Sequence, residues 1–451
     1  MDTEAQLKRL QEFEAAIQKL NSLVSETKDF PFYIHSIHIN GAKRTRKSLF
    51  ESVSYPALQA RTLGSIIEEV GKATDKFHRL DIFQHLDVLL DTSSDPLARR
   101  GAMDVILSVE EKSRFWIKTG TEIGNDAGSA NISLNIRNVF GGAETLETYM
   151  SAGTQTSHVF EFCLAKPING NPDSKIDITA FSLTRNNQTY SSHDEILRGV
   201  ALRWRVLSRL GFHELSYGTT WRQICNIDQD ASLSIRDSAG HSLKSSITHN
   251  WVRDRRDDIM LPSRGYYMRL FQEVAGLGGD IFFLKNEAEG QINFPLGKGF
   301  IISASLRNGL LYPMKIGQSK ISDRFFLGGA QSVRGFKLNG IGPREKRDSL
   351  GGDLYLAGGL SLFTPLPKLK NYPIKGHLFL NGGSLIQVNQ SRRLVDNIQN
   401  LARTPSVSTG IGIVYRSSIL RFEVNFCLPL ITTTTDKWKK GLQLGLGFNF
   451  W

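Results

Sequence analysis

Apolar and polar residues alternate along much of the C-terminal two thirds of the chain. Near its end the apolar positions are Leu442, Leu444, Leu446, Phe448 and Phe450. The positions between them are Gln443, Gly445, Gly447 and Asn449. A period of two places successive side chains on opposite faces of a β-strand. The segment therefore predicts a strand with one wholly apolar face.

The alternating segment ahead of it carries charges on its polar face. Arg421 and Glu423 alternate there with Phe422, Val424 and Phe426. Recurring charges do not suit a β-sandwich, whose inner faces must be dry, but they suit a barrel with lipid outside and water or a polar plug inside. Alternating segments of roughly ten residues recur over 113–451 and predict about sixteen strands. The predicted fold class is an all-β membrane protein with an about 16-stranded transmembrane antiparallel β-barrel.

The composition agrees with such a barrel and argues against two other classes. The hydrophobic fraction is 40% and the mean hydropathy is -0.23, and no run approaches the roughly 18 uncharged apolar residues that a membrane-spanning helix needs. The net charge of +11 would suit nucleic acid, but the basic residues lie at alternating strand positions. They include Arg203, Arg205, Lys285, Arg307 and Arg421. No nucleic-acid partner is therefore expected.

The residues ahead of the predicted barrel form two further segments. Residues 1–29 carry apolar side chains every three or four positions and predict an amphipathic helical leader, with neither a secretory signal nor a cleaved presequence expected. Residues 30–112 contain an extended run, two helical stretches and two more strand candidates. The expected organisation is a leader at 1–29, a small β-α-α-β-β domain at 30–112 and the barrel at 113–451.

A glycine-rich loop, Gly328–Phe336, interrupts the alternating segments. It places Arg334, a permanently charged planar side chain with five donors, between Val333 and Gly335-Phe336. Taken by itself, such a turn could simply lie on the surface. The glycines do not follow a buried strand and open a helix, so a phosphate-binding loop is not expected.

A charged turn forms the second motif, in which 251–258 (WVRDRRDD) runs into Pro262 and Gly265. Asp257 and Asp258 lack His or Asp neighbours at ligand spacing, so we expect no metal there. Cys163, Cys225 and Cys427 are far apart and give neither a metal spacing nor a disulfide framework. Since no nucleophile elbow accompanies the histidines, we expect a protein that is not an enzyme and that holds no cofactor.

In this order and about 70 residues apart, the two motifs resemble those of the outer-membrane β-barrel assembly superfamily, also called the bacterial surface antigen family. The 30–112 segment resembles its polypeptide-transport-associated (POTRA) domain. A single such domain ahead of a terminal barrel is most similar to the core barrel subunit of the mitochondrial sorting and assembly machinery. The resemblance implies an outer mitochondrial membrane location, with the N-terminal domain in the intermembrane space.

The resemblance also implies partners. They are unfolded β-barrel precursors, metaxin-like accessory subunits, a second barrel, the inner-membrane organising complex and membrane lipid. Within the superfamily the loop arginine commonly opposes an acidic residue in a Phe-x-Asp-x-Gly segment. Here that segment is 379–383 with Asn381 in place of the acid, and a second acidic position is Ser361. The resemblance thus implies that Arg334 bonds to neutral acceptors in the lumen, not to a carboxylate.

The function implied is the folding and insertion of barrel precursors through a lateral gate between the first and last strands. A passive outer-membrane pore and a protein-translocation channel of the same superfamily remain alternatives. The glycines of the last strand lower its strand propensity, although they would also accommodate barrel curvature. The last strand resembles the polar-x-Gly-x-x-hydrophobic-x-hydrophobic signal of mitochondrial barrel clients. The predicted gate residues are Phe115, Thr119, Ile123, Gln443, Gly445, Phe448 and Phe450.

Overall fold

The computed structural model describes residues 26–447 apart from 125–126, 155, 316–318, 368–371 and 418–420. Nearly all of the predicted leader, 1–29, therefore lies outside the described residues. Two compact units are formed. The first holds the described residues up to Trp116 together with Asn135–Leu146 and Leu164–Ile176, and the second holds the rest. The predicted domain boundaries at 29 and 112 stay predictions.

The first unit has the predicted β-α-α-β-β order. Its elements are β1 (Tyr33–Asn40), α1 (Lys47–Gln59), α2 (Leu63–Leu80), β2 (Phe83–Thr92) and β3 (Ala102–Glu111). The sheet order is β1-β3-β2, with β1 parallel and β2 antiparallel to β3. Both outer strands of this small sheet therefore have an edge that β3 does not cover.

An aromatic core joins the helices of this unit to its sheet. The rings of Phe50, Phe77 and Phe83 lie 5.3–5.9 Å apart between centroids. Thr62 and Ser65 form a reciprocal capping box at the start of α2, which satisfies backbone donors that a helix start leaves open. Ala143, from one of the added segments, packs in the same core.

Sixteen strands among the described residues form one sheet, antiparallel in every pairing whose register is resolved. They are β4 (Phe115–Gly124), β5 (Ala127–Arg137), β6 (Thr145–Gly153), β7 (Thr156–Ile168), β8 (Asn171–Asn186), β9 (Asp194–Ser208), β10 (Gly211–Cys225), β11 (Gly240–Asp254), β12 (Gly265–Gly279), β13 (Phe283–Gly297), β14 (Phe300–Pro313), β17 (Leu354–Pro365), β18 (Ile374–Ile386), β19 (Ser406–Arg416), β20 (Arg421–Ile431) and β21 (Gly441–Gly447). Each strand neighbours those next to it in the chain, and the order runs from β21 to β4. The predicted strand number is confirmed.

The polar and apolar faces of this sheet are reversed relative to those of a water-soluble protein, with apolar side chains outside and polar side chains inside. On β20 the polar Glu423 and Asn425 are each 1% exposed, whereas Phe426 is 51% exposed. The alternation predicted for this strand is confirmed, with its polar face turned inward. An apolar outer face around a polar interior is the arrangement of a transmembrane β-barrel. Among the described residues, none of the helices is both long and apolar enough to cross a membrane.

The longest connection, 314–353, runs from β14 to β17 and is described apart from 316–318. It contains a 3-10 turn (Ile321–Asp323) and a small hairpin of β15 (Arg344–Glu345) and β16 (Asp348–Ser349). Val333, Phe336 and Ile341 are at most 2% exposed and pack against inward-facing side chains of the wall. Other connections hold α3 (Gln188–Ser191), α4 (Leu233–Asp237) and α5 (Leu394–Arg403). The predicted loop thus fills part of the barrel interior and is not a surface turn.

Candidate functional site

The loop arginine ends in a buried ion pair. Arg334 Nε and Nη2 donate to the same oxygen, Oε2 of Glu423 on β20, at 3.1 and 2.9 Å. The two side chains are 1% and 0% exposed. The guanidinium also lies 5.3 Å from the ring centroid of Phe379. Because both hydrogen bonds are charge-assisted, this contact is stronger than one to a neutral acceptor.

The expectation of neutral acceptors for the Arg334 side chain is therefore wrong. Ser361 bonds instead to His377 Nε2 at 3.0 Å, and His377 Nδ1 lies 3.1 Å from Asn425 Oδ1. Asn425 Nδ2 in turn donates to Glu423 Oε2 at 2.8 Å. Ser361 thus belongs to the same buried network but is three hydrogen bonds away from the carboxylate. The resemblance implied that an acidic partner for the loop arginine would stand on β17 or β18. In this protein the acidic partner, Glu423, is on β20.

Asn381 serves the backbone of the loop and not its guanidinium. With its amide oxygen facing the Arg334 N–H at 2.9 Å, its nitrogen donates to Ser408 Oγ at 2.7 Å. Ser408 on β19 then donates its hydroxyl to the carbonyl of Arg334. Both main-chain groups of Arg334 are therefore held by wall residues, as buried backbone polar groups must be. The loop is fixed at its backbone as well as at its charge.

The next two loop residues are held by the last strand. Gly335 N–H donates to Gln443 Oε1 at 2.9 Å, and Gln443 Nε2 donates to the Phe336 carbonyl at 3.2 Å. A single carboxamide thus binds the N–H of one loop residue and the C=O of the next. Gly335 has φ +82°, and a Cβ there would stand 2.9 Å from Ser408 Cβ. Glycine is required because both the left-handed backbone and the close approach exclude a side chain.

The second motif reaches the same carboxylate through β20. Arg421 pairs with Glu423 Oε1 and donates to the carbonyl of Met260, in the turn between β11 and β12, at 3.0 Å. Asp258 in that turn pairs with Arg416 at 2.5 Å. Glu423 is thus the residue at which the arginine loop and the charged turn converge.

Hydrogen bonds inside the charged turn occupy its other aspartate. Asp257 accepts from the N–H groups of Ser263 and Arg264 at 2.9 and 3.2 Å, and from the Ser263 hydroxyl. Burial alone would raise the pKa of Asp257, but these bonds outweigh burial and lower it. The paired aspartates therefore act as hydrogen-bond acceptors that shape the turn.

The sequence matches the family model described as the Omp85 superfamily domain over residues 138–450, more than half of the chain. The chain belongs to the Omp85 superfamily. Curated relatives place it in the SAM50 family of that superfamily. A SAM50-like protein of Schizosaccharomyces pombe is 36% identical over 97% of this chain and 94% of its own length. The human sorting and assembly machinery component 50 homolog is 34% identical over 95% and 92%.

A solved structure gives the same fold at low identity. BamA from Haemophilus ducreyi lacking POTRA domains 1–3 superposes with a TM-score of 0.78, at 16% identity, over 92% of this chain and 85% of that chain. The predicted barrel and the POTRA-like β-α-α-β-β unit ahead of it are the fold of this Omp85 protein over its described residues.

Five of the seven predicted gate residues of this Omp85 protein fall on the two strands that end the sheet order. Phe115 and Thr119 lie on β4, where Phe115 is 60% exposed. Ile123 lies on the same strand. Gln443 and Gly445 lie on β21, which pairs with β20 over seven residues. Phe448 and Phe450 lie outside the described residues. Of these seven positions, the structure brings Gln443 to the loop.

Sequence reasoning missed a second buried group that anchors the start of the loop. Asp323 pairs with Arg222 at 2.9 Å and with Lys244 at 3.7 Å, and Lys244 pairs with Glu273 at 2.6 Å. The wall members of this group occupy inward positions of β10, β11 and β12. Their alternation with apolar residues indicates from the sequence that they face inward. It does not identify the residue of a distant loop with which they pair.

Proposed function

We propose that this chain is the central insertase of the mitochondrial sorting and assembly machinery. It folds β-barrel precursors and inserts them into the outer membrane through a lateral gate between β4 and β21. At the coarser level, membership of the SAM50 family supports a role in β-barrel assembly. The proposed work is the pairing of strands and involves no chemical step, nucleotide or cofactor.

The observation that carries the proposal is the docking of the arginine loop on the last three strands. Ser408 of β19, Glu423 of β20 and Gln443 of β21 each bind the segment Arg334–Phe336. Three successive strands on one side of the proposed seam are thereby tied to one buried loop. β4 terminates the other end of the sheet order. One side of the proposed gate is thus braced from inside the barrel, and lateral opening requires only that its pairing with β4 be exchangeable.

The physics of sheet edges supplies the mechanism. An opened seam presents unpaired N–H and C=O groups, which are a template for another strand. Inside a membrane these groups must be paired, because lipid offers no hydrogen-bond partners. A precursor strand entering the seam satisfies the edge, and further strands add until the new barrel closes on itself and separates.

The packed interior favours insertion over a passive pore. Arg334 is 1% and Phe336 0% exposed because the loop packs against inward-facing side chains of the wall, so it occupies interior space that a pore would leave to solute. A protein-translocation channel of the same superfamily is the remaining alternative. It would pass its substrate through the lumen and would have to displace this loop, whereas lateral insertion leaves the loop in place.

The proposed setting follows from the same family membership. We place the barrel in the mitochondrial outer membrane and its POTRA domain in the intermembrane space. The proposed partners are unfolded barrel precursors, metaxin-like accessory subunits, a second barrel, the inner-membrane organising complex and membrane lipid. Purification in detergent with mass analysis of the co-purifying subunits tests this list.

A disulfide across the seam tests the gate. Cysteines replace Thr119 on β4 and Leu444 on β21, which are both exposed on the outer face, in a background without the three native cysteines, and the pair is oxidised. We expect insertion of client barrels to stop on oxidation and to recover on reduction. The assay is the appearance of folded, protease-resistant client in vesicles that carry the oxidised protein.

A matched pair across neighbouring strands provides the control. Ile413 of β19 and Val424 of β20 are opposed in register and are 50% and 42% exposed on the outer face. A disulfide there should leave insertion unchanged because these strands stay paired throughout. If the seam disulfide forms and clients still insert at the normal rate, lateral opening is wrong. Passage of a client through the barrel instead of beside it would favour the translocation channel.

A further inference from the structure

A polar cluster lies on the lipid-facing surface of β10, β11 and β12. Exposed apolar residues define this face, including Ile247 at 40% and Met268 at 46%. Strand alternation and register place four polar side chains on the same face, namely His213, His249, Arg253 and Gln272. We call these four residues the outer polar cluster. Polar groups facing hydrocarbon are costly, so their presence points to a polar partner.

Three members of the cluster form a hydrogen-bonded chain across three strands. His213 Nδ1 lies 3.3 Å from His249 Nε2, and His249 Nδ1 lies 3.3 Å from Gln272 Oε1. When His249 donates from Nδ1 to the amide oxygen, its Nε2 accepts from His213. This polarity leaves the NH2 group of Gln272 as a donor toward the surroundings.

Arg253 supplies the positive charge of the cluster. Its Nε is buried and has no hydrogen-bond partner within the described part of the chain. Its guanidinium lies 5.8 Å from the ring centroid of Tyr266. The neighbouring carboxylate of Asp254 is already bound by Arg256 at 2.7 Å. In the residues that the structure describes, no carboxylate pairs with Arg253, so its charge is available to an external anion.

The positions along the strand match the layers of a phospholipid. Arg253 is the penultimate residue of β11, and His249 is four residues further into the strand. Four residues span about 13 Å along a strand, or roughly 9 Å along the membrane normal at a tilt of about 45°. Trp251 lies between them with its Nε1 donating to the Leu210 carbonyl at 3.2 Å, as aromatic residues do at membrane interfaces. The cation is therefore at head-group level, and the amide donor is at the level of the ester groups.

We propose that the outer polar cluster binds the head group of an anionic phospholipid. Arg253 binds the phosphate, and His213 lies beside it. The Gln272 NH2 group donates to an ester carbonyl of the same lipid. This site is independent of the proposed insertase activity, because it lies on the outer wall away from β4 and β21.

Trp251 provides the measurement, because brominated acyl chains quench nearby tryptophans. The protein is reconstituted in vesicles of brominated phosphatidylglycerol or brominated phosphatidylcholine, and the Trp251 signal is the difference between the protein and its Trp251→Phe variant. We expect phosphatidylglycerol to be enriched near Trp251 about fivefold over phosphatidylcholine. This is the effect of about 1 kcal/mol for one cation at an anionic surface. Arg253→Gln should reduce this preference to about one. His249→Phe, which keeps a ring in place, should weaken it.

Arg255→Gln is the matched control, since Arg255 is exposed in the adjacent turn and its loss changes the net charge equally. It should keep the preference for phosphatidylglycerol. Equal binding of the two lipids to the unmodified protein would overturn the proposal, as would an equal loss in the Arg255→Gln variant. Relief of quenching by millimolar inorganic phosphate would identify a small-anion site instead. A co-purified protein that shields Trp251 from both lipids would identify a protein-docking surface.

Discussion

The Arg334 guanidinium and the Glu423 carboxylate meet at 2.9 Å with side chains that are 1% and 0% exposed. Arg421, whose side chain is 4% exposed, contacts the other oxygen of the same carboxylate. Two positive charges and one negative charge are thus enclosed together, which leaves a net charge of +1. The carboxylate is therefore the member whose loss creates the largest buried imbalance.

Neutralising Glu423 should destabilise the barrel more than neutralising Arg334. Glu423→Gln leaves Arg334 and Arg421 facing each other with a charge of +2, whereas Arg334→Gln leaves Arg421 and Glu423 with a charge of 0. We expect a loss of about 3–5 kcal/mol for Glu423→Gln and about 1.5–3 kcal/mol for Arg334→Gln. The measurement is the unfolding temperature in detergent, read from heat-modifiable gel migration.

Glu289→Gln is the control for that comparison. Glu289 pairs with Arg307 in the same barrel, but these side chains are 21% and 28% exposed. Water can replace the lost partner there, so the change should be smaller. Equal losses for Glu423→Gln and Arg334→Gln would show that charge balance does not govern the site.

Gln443→Leu should release the loop from the last strand. It removes the bonds to the Gly335 N–H and the Phe336 carbonyl, each worth about 1 kcal/mol. Gln443→Glu keeps an acceptor for Gly335 but loses the donor to Phe336, so its effect should be intermediate. Hydrogen exchange at Gly335 and the rate of client insertion measure these effects.

A neighbouring outward position controls for damage to the strand itself. Leu442→Val changes a side chain that is 60% exposed on the same strand, and it should leave exchange at Gly335 unchanged. Protection at Gly335 that survives Gln443→Leu would mean that β21 does not hold the loop.

Gly335→Ala should cost more than an alanine at another left-handed glycine. Both Gly335 (φ +82°) and Gly297 (φ +88°) have such a backbone, but only a Cβ at Gly335 meets an atom, Ser408 Cβ, at 2.9 Å. Gly297→Ala should therefore lose about 1–2 kcal/mol from backbone strain alone. Gly335→Ala adds about 1–3 kcal/mol of overpacking. The difference in unfolding temperature between the two variants reports the close approach, and equal temperatures would mean that the loop relaxes.

The POTRA domain should lose local order in acid through Glu111. Glu111 accepts from the N–H groups of Arg44 and Thr45 at 3.0 and 2.9 Å and from the Thr45 hydroxyl. Burial raises the pKa of Glu111, but these bonds outweigh it and the pKa is lowered from 4.5. A lowered folded-state pKa means that the stabilisation is complete above the unfolded value and is lost as pH falls through the folded value.

Hydrogen exchange at Arg44 and Thr45 in the intact chain measures that effect. Protection should hold at neutral pH and fall as the pH drops below 4.5. Glu111→Gln should expose these amides at neutral pH and remove most of the pH dependence. Glu110→Gln, one residue away on the same strand with its side chain 63% exposed, should leave protection unchanged. If the Glu111→Gln variant loses protection in acid to the same extent, the pH dependence belongs to another group.

Much of the fold could be predicted because its signals are local. A period of two predicts which face of β20 is apolar, and it holds at Phe422, Glu423 and Val424. The helices and strands of the POTRA domain follow from apolar spacing in the same way. Gly335 is also a local signal, because a left-handed backbone favours glycine at that position. The loop motif also pointed to Arg334 as the central side chain of the site.

The partners of Arg334 could not be predicted, because they depend on how a loop crosses the barrel interior. The sequence shows Glu423 as one inward-facing acid among several, 89 residues from the arginine. Ser361 and Asn381 occupied the expected positions, yet the first binds His377 and the second binds the loop backbone. Alternation thus determined the faces of the strands, since it follows from the geometry of each strand alone. Only the tertiary structure decided which inward-facing groups meet, because a buried charge pairs with whichever opposite charge the folded sheet and loop bring within hydrogen-bonding distance.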